Sequence, residues 1–326
     1  MSTSQKILLN EDVITNKDKW LRENQFSTFI LASLRGISQI ILIENAITGL
    51  IMLLAITVSS YVLGIVALLS AFIGTIIGKL GGADENAVKA GLFGYNSVLT
   101  GIALTIFLGG SFHWIIALVG AGIAAILTAA LMHFIKGIEI PILTFPFVVL
   151  TWLMLLVSYQ FNTFKLGPGL IPQNLSDWTL DLGAQIIWLD GFLRGISQIF
   201  LLDHLLSAIL FFVAIFWAGW KYGVYAVIGN AVALITAYGL GADHSSITLG
   251  LYGYNAILTI IAVSIVFNPN NSRFALLSGI IGACLTVLIT AGVSTLLLPY
   301  GISALTIAFV LSSWIMLGAR KILPQL

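Results

Sequence analysis

Leu34-Arg35-Gly36-Ile37-Ser38-Gln39-Ile40 recurs residue for residue as Leu193-Arg194-Gly195-Ile196-Ser197-Gln198-Ile199. With common residues at roughly 10% each, a seven-residue identity has a probability of ~10⁻⁷ per pairing, so chance does not explain it. At the same offset, Leu92-Phe93-Gly94-Tyr95-Asn96 and Leu99-Thr100 meet Leu251-Tyr252-Gly253-Tyr254-Asn255 and Leu258-Thr259, and Asp84 meets Asp243. Further along, Thr144, Phe147, Val148, Trp152 and Met154 reappear in identical mutual spacing as Thr306, Phe309, Val310, Trp314 and Met316, the offset having grown by three residues. The chain is a duplication. It divides into a tail over 1–25, a first repeat over 26–160, a connecting loop over 161–185 and a second repeat over 186–326.

The material around the repeated strings is almost wholly apolar. Of the 326 residues 59% are hydrophobic and 8% charged, and the mean hydropathy is +1.06; a soluble protein carries roughly 25% charged residues. This composition specifies an all-α integral membrane protein. Lys+Arg number 14 against Asp+Glu 13, which leaves no basic field for a nucleic acid. Cys284 is the one cysteine, so neither an internal disulfide nor a Cys-rich zinc or iron-sulfur site can form. Apolar runs cover about 29–58, 61–79, 87–108, 113–134 and 139–158, then 186–217, 220–239, 245–267, 273–296 and 301–318, most of them near the ~20 residues needed to cross. The first run of each half is too long for one untilted span and predicts a tilt, a kink or an extra short helix.

Lys6, Lys17, Lys19 and Arg22 in the tail, with Arg320 and Lys321 at the other end, predict both termini in the cytoplasm and an even number of spans, which ten satisfies. The tail lacks the features of a cleaved signal peptide and reads as retained. The connecting loop holds Lys165 beside Asp177 and Asp181, as expected on the opposite side. Five spans in each half turn the second upside down relative to the first, and place a site at the midplane between them.

The matched polar residues are the candidates for that site. Gln39 and Gln198 each bring an amide donor and acceptor into an apolar helix, where they bind a solute or a neighbouring helix. Tyr95 with Leu99, and Tyr254 with Leu258, set an aromatic ring over an aliphatic side chain at i,i+4, with Asn96 and Asn255 beside them. Thr144 sits in Ile140-Pro141-Ile142-Leu143-Thr144-Phe145-Pro146-Phe147, where two prolines withdraw N–H donors and leave carbonyls to be satisfied by a solute or by a kink. Thr306 is its counterpart. Arg35 and Arg194, with Glu44 and Asp203 at equivalent places, read as structural ion pairs or headgroup anchors. His204 stands at the position equivalent to Asn45. No phosphate-binding loop, nucleophile elbow or paired metal ligands appear, so enzymatic turnover is not expected and no cofactor is called for.

Leu143-Thr144-Phe145-Pro146-Phe147 followed by Trp152, together with Leu34 to Gln39, Asn45, Gly49 and Gly94-Tyr95-Asn96, resembles the repeated motifs of the urea transporter family. The resemblance implies a homotrimer in the plasma membrane (the inner membrane of a bacterium) with a urea pore through each protomer. Each inverted half would hold five spanning helices and one tilted pore half-helix. Carried over, Gln39 and Gln198 resemble the polar groups at the pore's wide positions, Thr144 and Thr306 the central constriction, and Tyr95, Leu99, Tyr254 and Leu258 the walls of a slot. Glu44 and His204 stand where the family commonly shows asparagine, and Ala308 replaces the proline matched by Pro146. Urea is planar, neutral and rich in N–H donors, so a narrow slot with acceptors can replace its water while ions lose theirs uncompensated. The alternative is a proton- or sodium-coupled carrier using Glu44, Asp203 or Asp84 as coupling acids.

Overall fold

The computed structural model describes residues 25–268 and 274–324. The basic residues of the tail, on which half of the orientation argument rests, lie outside the described residues. The first half comprises α1 (25–38), α2 (Ala46–Ser59), α3 (Tyr61–Leu80), the short α4 (Glu85–Lys89), α5 (Tyr95–Phe107), α6 (His113–Ile135) and α7 (Phe145–Leu156). The second repeats that order as α8 (Trp188–Ser197), α9 (Leu205–Ala218), α10 (Trp220–Gly239), the short α11 (His244–Thr248), α12 (Gly253–Ile261), α13 (Ala275–Leu297) and α14 (Ile307–Arg320). Among the described residues the one sheet pairing is a two-residue ladder, Leu108–Gly109 against Lys165–Leu166.

Each of the two longest apolar runs is a bent pair, α1 with α2 and α8 with α9, both turned by 75°. The bend has a local cause. After a 3-10 turn, Leu42 takes a left-handed φ of 62°, and the N–H groups of Leu42 and Ile43 donate back to Gln39 O and Ser38 O. Leu201 does the same at φ 59°, with Leu201 and Leu202 donating to Gln198 O and Ser197 O. This is the usual left-handed helix stop, made with leucine where glycine is common. The next helix then starts afresh on a side-chain cap: Asn45 Oδ1 accepts from Thr48 N–H at 3.0 Å, and His204 Nδ1 accepts from Ser207 N–H at 3.3 Å. The ten apolar runs therefore appear as four helices long enough to cross, two bent pairs and four shorter apolar helices of 10–17 residues.

The glycine of the repeated string has a packing role. Gly91 (φ +80°) and Gly250 (φ +70°) lie so close to α1 and α8 that a Cβ on either would stand 2.3 Å from the backbone nitrogen of Gly36 or Gly195. A Cβ on Gly36 itself would stand 3.1 Å from Gly94 Cα, and one on Gly195 2.5 Å from Asn230 Oδ1, so small residues on both sides let the turns before α5 and α12 approach α1 and α8 closely.

The halves meet through equivalent elements. α2 packs on α9 and α7 on α14. Trp152 Nε1 donates to Ser303 O at 2.9 Å, and its counterpart Trp314 Nε1 donates to Pro141 O at 2.8 Å. Such reciprocity is what a two-fold relation produces. One core is shared by both halves and includes Ile37, Phe147, Phe211 and Phe309.

The charged pairs divide. Arg194 is paired with Asp203 and, at 3.3 Å, with Asp190. Arg35 instead donates to Lys89 O at 3.0 Å, and among the described residues no ion pair joins it to Glu44. The expected symmetric pairing thus holds in the second half alone. In the first, the C-terminal carbonyl of α4 takes the guanidinium and Glu44 is exposed.

Candidate functional site

α7 and α14 begin at Thr144 and Thr306, and each is preceded by a leucine in the left-handed region, Leu143 at φ 51° and Leu305 at φ 52°. That conformation costs an L-residue roughly 1–2 kcal/mol, so something must hold it. The Tyr95 hydroxyl donates to Leu143 O at 2.8 Å, and the Tyr254 hydroxyl donates to Leu305 O at 2.7 Å. Asn96 Nδ2 and Asn255 Nδ2 approach the same two oxygens at 3.5 and 3.3 Å while donating to Thr128 and Thr290. Tyrosine and asparagine, adjacent on one helix turn, thus clamp the carbonyl just before each threonine.

The geometry brings the threonines together. Thr144 Oγ1 and Thr306 Oγ1 lie 2.6 Å apart, both fully buried where the two halves meet. On one side of this contact a cavity of about 550 Å³ is lined by Gln39, Leu42, Tyr95, Ile142 and Leu143, with Glu44, Lys136 and Glu139 among its remaining wall residues. Gln39 and Tyr95 therefore share one chamber that ends next to Thr144. Gln39 Nε2 donates to Ala90 O at 3.0 Å and Gln198 Nε2 donates to Leu249 O at 3.3 Å. Among the described residues their carbonyl oxygens have no protein donor. Each glutamine thus binds a neighbouring segment and still presents an acceptor.

Leu99 and Leu258 are fully buried in the shared core, and in this conformation Leu99 does not open onto the cavity. The expected column of free carbonyls is corrected by the protein's own donors. Pro141 O accepts from Trp314, Ile142 O accepts from Phe145 N–H at 3.2 Å, and Leu143 O accepts from Tyr95. A buried carbonyl left unpaired would cost about 1–3 kcal/mol, and the fold avoids that cost. What remains for a solute is the second lone pair of each carbonyl and the two hydroxyls.

Four further residues belong to this arrangement. Trp152 and Trp314 fasten each constriction loop to the opposite half, and Thr128 and Thr290 anchor the asparagines. The signal was in the repeat: both tryptophans and both threonines stand at the same offset as Thr144 and Thr306. Charge is kept away from the centre, since the one charged side chain buried among the described residues is Asp243, at the cap of α11.

A family model described as urea transporter matches residues 30–321. The chain belongs to the urea transporter family. Urea transporter 1 of Rattus norvegicus is 28% identical over 288 residues, covering 83% of this chain and 74% of that protein. Urea transporter 1 of Ovis aries is 28% identical over 307 residues, covering 91% and 79%. The urea transporter match spans both repeats, from within α1 to just past α14, so every residue of the site falls inside it.

Proposed function

We propose that this urea transporter carries urea passively across a membrane, along a line from the 550 Å³ cavity past Tyr95, through the Thr144–Thr306 contact, and out past Tyr254 and Gln198. The hydroxyl contact at the meeting of the two halves supports this reading best. It is uncharged, it lies between two clamped carbonyls, and it is too tight to admit a solute without parting. When the hydroxyls separate, each can bond urea, one accepting from an N–H and the other donating to the carbonyl. One protein hydrogen bond is exchanged for two to the solute, and an ion gains nothing comparable for its lost water. Leu99 and Leu258, beneath the tyrosines on the same helix faces, would become slot walls when the threonines part.

An ion-coupled carrier needs an acid along the path. Glu44 lines the entrance cavity but is exposed there, and among the described residues no acid is buried at the Thr144–Thr306 contact; Asp203, also exposed, is paired with Arg194, and the exposed Asp84 caps α4 by accepting from Ala87 N–H. Facilitated passage therefore fits better than coupling, and transport fits better than catalysis. The reciprocal contacts between halves of matching element order support an inverted repeat; membership of the family supports a homotrimer in a plasma membrane, and Arg320 and Lys321 support cytoplasmic termini. Stopped-flow urea uptake into proteoliposomes, with and without a proton or sodium gradient, tests the reading. Equilibration at the same final level in both conditions is expected, and accumulation driven by either gradient would overturn it.

A further inference from the structure

Away from the proposed path, a cavity of about 400 Å³ lies between the start of α1, the end of α3 and α4. Gln25, Phe29, Lys79 and Glu85 stand around it. The equivalent four positions of the second repeat are Ala184, Trp188, Tyr238 and His244, and there they close on one another. The rings of Trp188 and Tyr238 meet edge-on at 5.3 Å, those of Tyr238 and His244 lie 6.3 Å apart, and His244 Nδ1 is 2.8 Å from Ala184 O. Among the described residues the first repeat has a hollow where the second has a plug of three rings. Two lysines stand at this hollow, Lys79 and Lys89, where the second repeat has Tyr238 and Thr248.

We propose that this hollow binds one anionic phospholipid, its phosphate held by Lys79 and Lys89 and its upper acyl carbons lying along Phe29, Ala32 and Val88. Three observations fit a lipid. Ile76 and Leu80, on α3 next to Lys79, are exposed apolar side chains at 42% and 82%, as on a surface facing hydrocarbon. Lys79 is in no ion pair among the described residues. Lys89 holds only Glu85, whose side chain is 81% exposed, a pairing that a phosphate can displace at little cost. The hollow thus has an apolar wall of Phe29, Ala32 and Val88 beside Thr28 and Thr75, with two lysines and the readily displaced Glu85 around it, a surface that matches an anionic headgroup above acyl carbons. Occupancy also bears on α4, whose C-terminal carbonyls hold Arg35 and Gln39.

Native mass spectrometry of the full-length protein tests this, with phosphatidylglycerol, phosphatidylcholine or inorganic phosphate added to the detergent. One tightly held phosphatidylglycerol per protomer is expected, with phosphatidylcholine and phosphate not retained. Lys79→Gln with Lys89→Gln should weaken its binding about 30-fold, from about 1 kcal/mol for each lysine at an anionic surface. Lys79→Arg with Lys89→Arg should keep it, which separates loss of charge from loss of fold. Equal retention of the two lipids, or undiminished phosphatidylglycerol on the glutamine variant, would overturn the assignment and leave another protein segment as the occupant. Inorganic phosphate competing as well as the lipid would make this a free-anion site, and the lipid proposal would again fail.

Discussion

Thr144→Val keeps the branched shape and removes the hydroxyl, and the 2.6 Å contact with Thr306 makes one substitution behave differently from two. At rest, the single variant strands the buried Thr306 hydroxyl, which should destabilise the protein by about 1–3 kcal/mol. Adding Thr306→Val removes the stranded group, so the double variant should return close to wild-type stability. Permeation should run the other way. The wild type breaks one hydroxyl bond and makes two to urea; a single variant breaks none and makes one, so its flux should stay within about fivefold of wild type. The double variant offers desolvated urea no hydroxyl, a deficit of about 1–3 kcal/mol or about five- to 150-fold in rate. Stopped-flow urea flux at matched protein content, with thermal unfolding of the same four proteins, forms a double-mutant cycle. Two single variants each as slow as the double, with stability losses that simply add, would refute the idea that these hydroxyls are paired at rest and shared with urea in transit.

Gln39→Ala and Gln198→Ala are each expected to lower urea flux about two- to ten-fold, the worth of a hydrogen bond of about 0.5–1.5 kcal/mol, and by similar factors; wild-type flux in both folded variants would assign the amides to helix contacts alone. Trp152→Phe and Trp314→Phe each leave a loop carbonyl without its indole donor, so each should cost about 1–3 kcal/mol in unfolding and reduce flux; unchanged melting of either would remove that bond from the account. Burial works to raise the Asp243 carboxyl, but hydrogen bonds from the Ser245 hydroxyl and the Ser246 and Asp181 N–H groups outweigh it and hold the group below its ordinary value. A carboxyl depressed on folding gives stability that is complete above the unfolded value of about 3.9 and disappears as pH falls through the folded one. Thermal unfolding from about pH 6 to about pH 3 should therefore decline less steeply in Asp243→Asn than in wild type; parallel curves would show that this carboxyl does not contribute.

The duplicated strings made much of this legible in advance. Repetition singled out Tyr95, Asn96 and Thr144 because the same arrangement is built once in each half: the tyrosine and asparagine clamp the carbonyl before the threonine, and the two threonines meet across the halves. The long first runs announced a break because 30 apolar residues exceed one crossing. The rest depended on backbone conformation that side-chain types do not encode: no propensity scale places Leu42, Leu143, Leu201 and Leu305 in the left-handed region. The charge pattern pairs Arg35 with Glu44 because a cation seeks an acid, whereas the fold brings it the Lys89 carbonyl at the end of α4. The cavity beside Lys79 was invisible because it arises from what three-ring packing would have filled.

The mouths of the proposed path are not alike. Glu44, Lys136 and Glu139 line the first, whereas near Gln198 the nearby Arg194 and Asp203 neutralise one another. In a passive conduit this difference cannot work as a valve, since detailed balance forbids net flow between equal concentrations whatever the shape of the path. Unequal mouths can change only where a molecule waits. Urea should dwell longer in one vestibule, so half-saturating concentration and maximal flux differ between influx and efflux while their ratio is identical from either side.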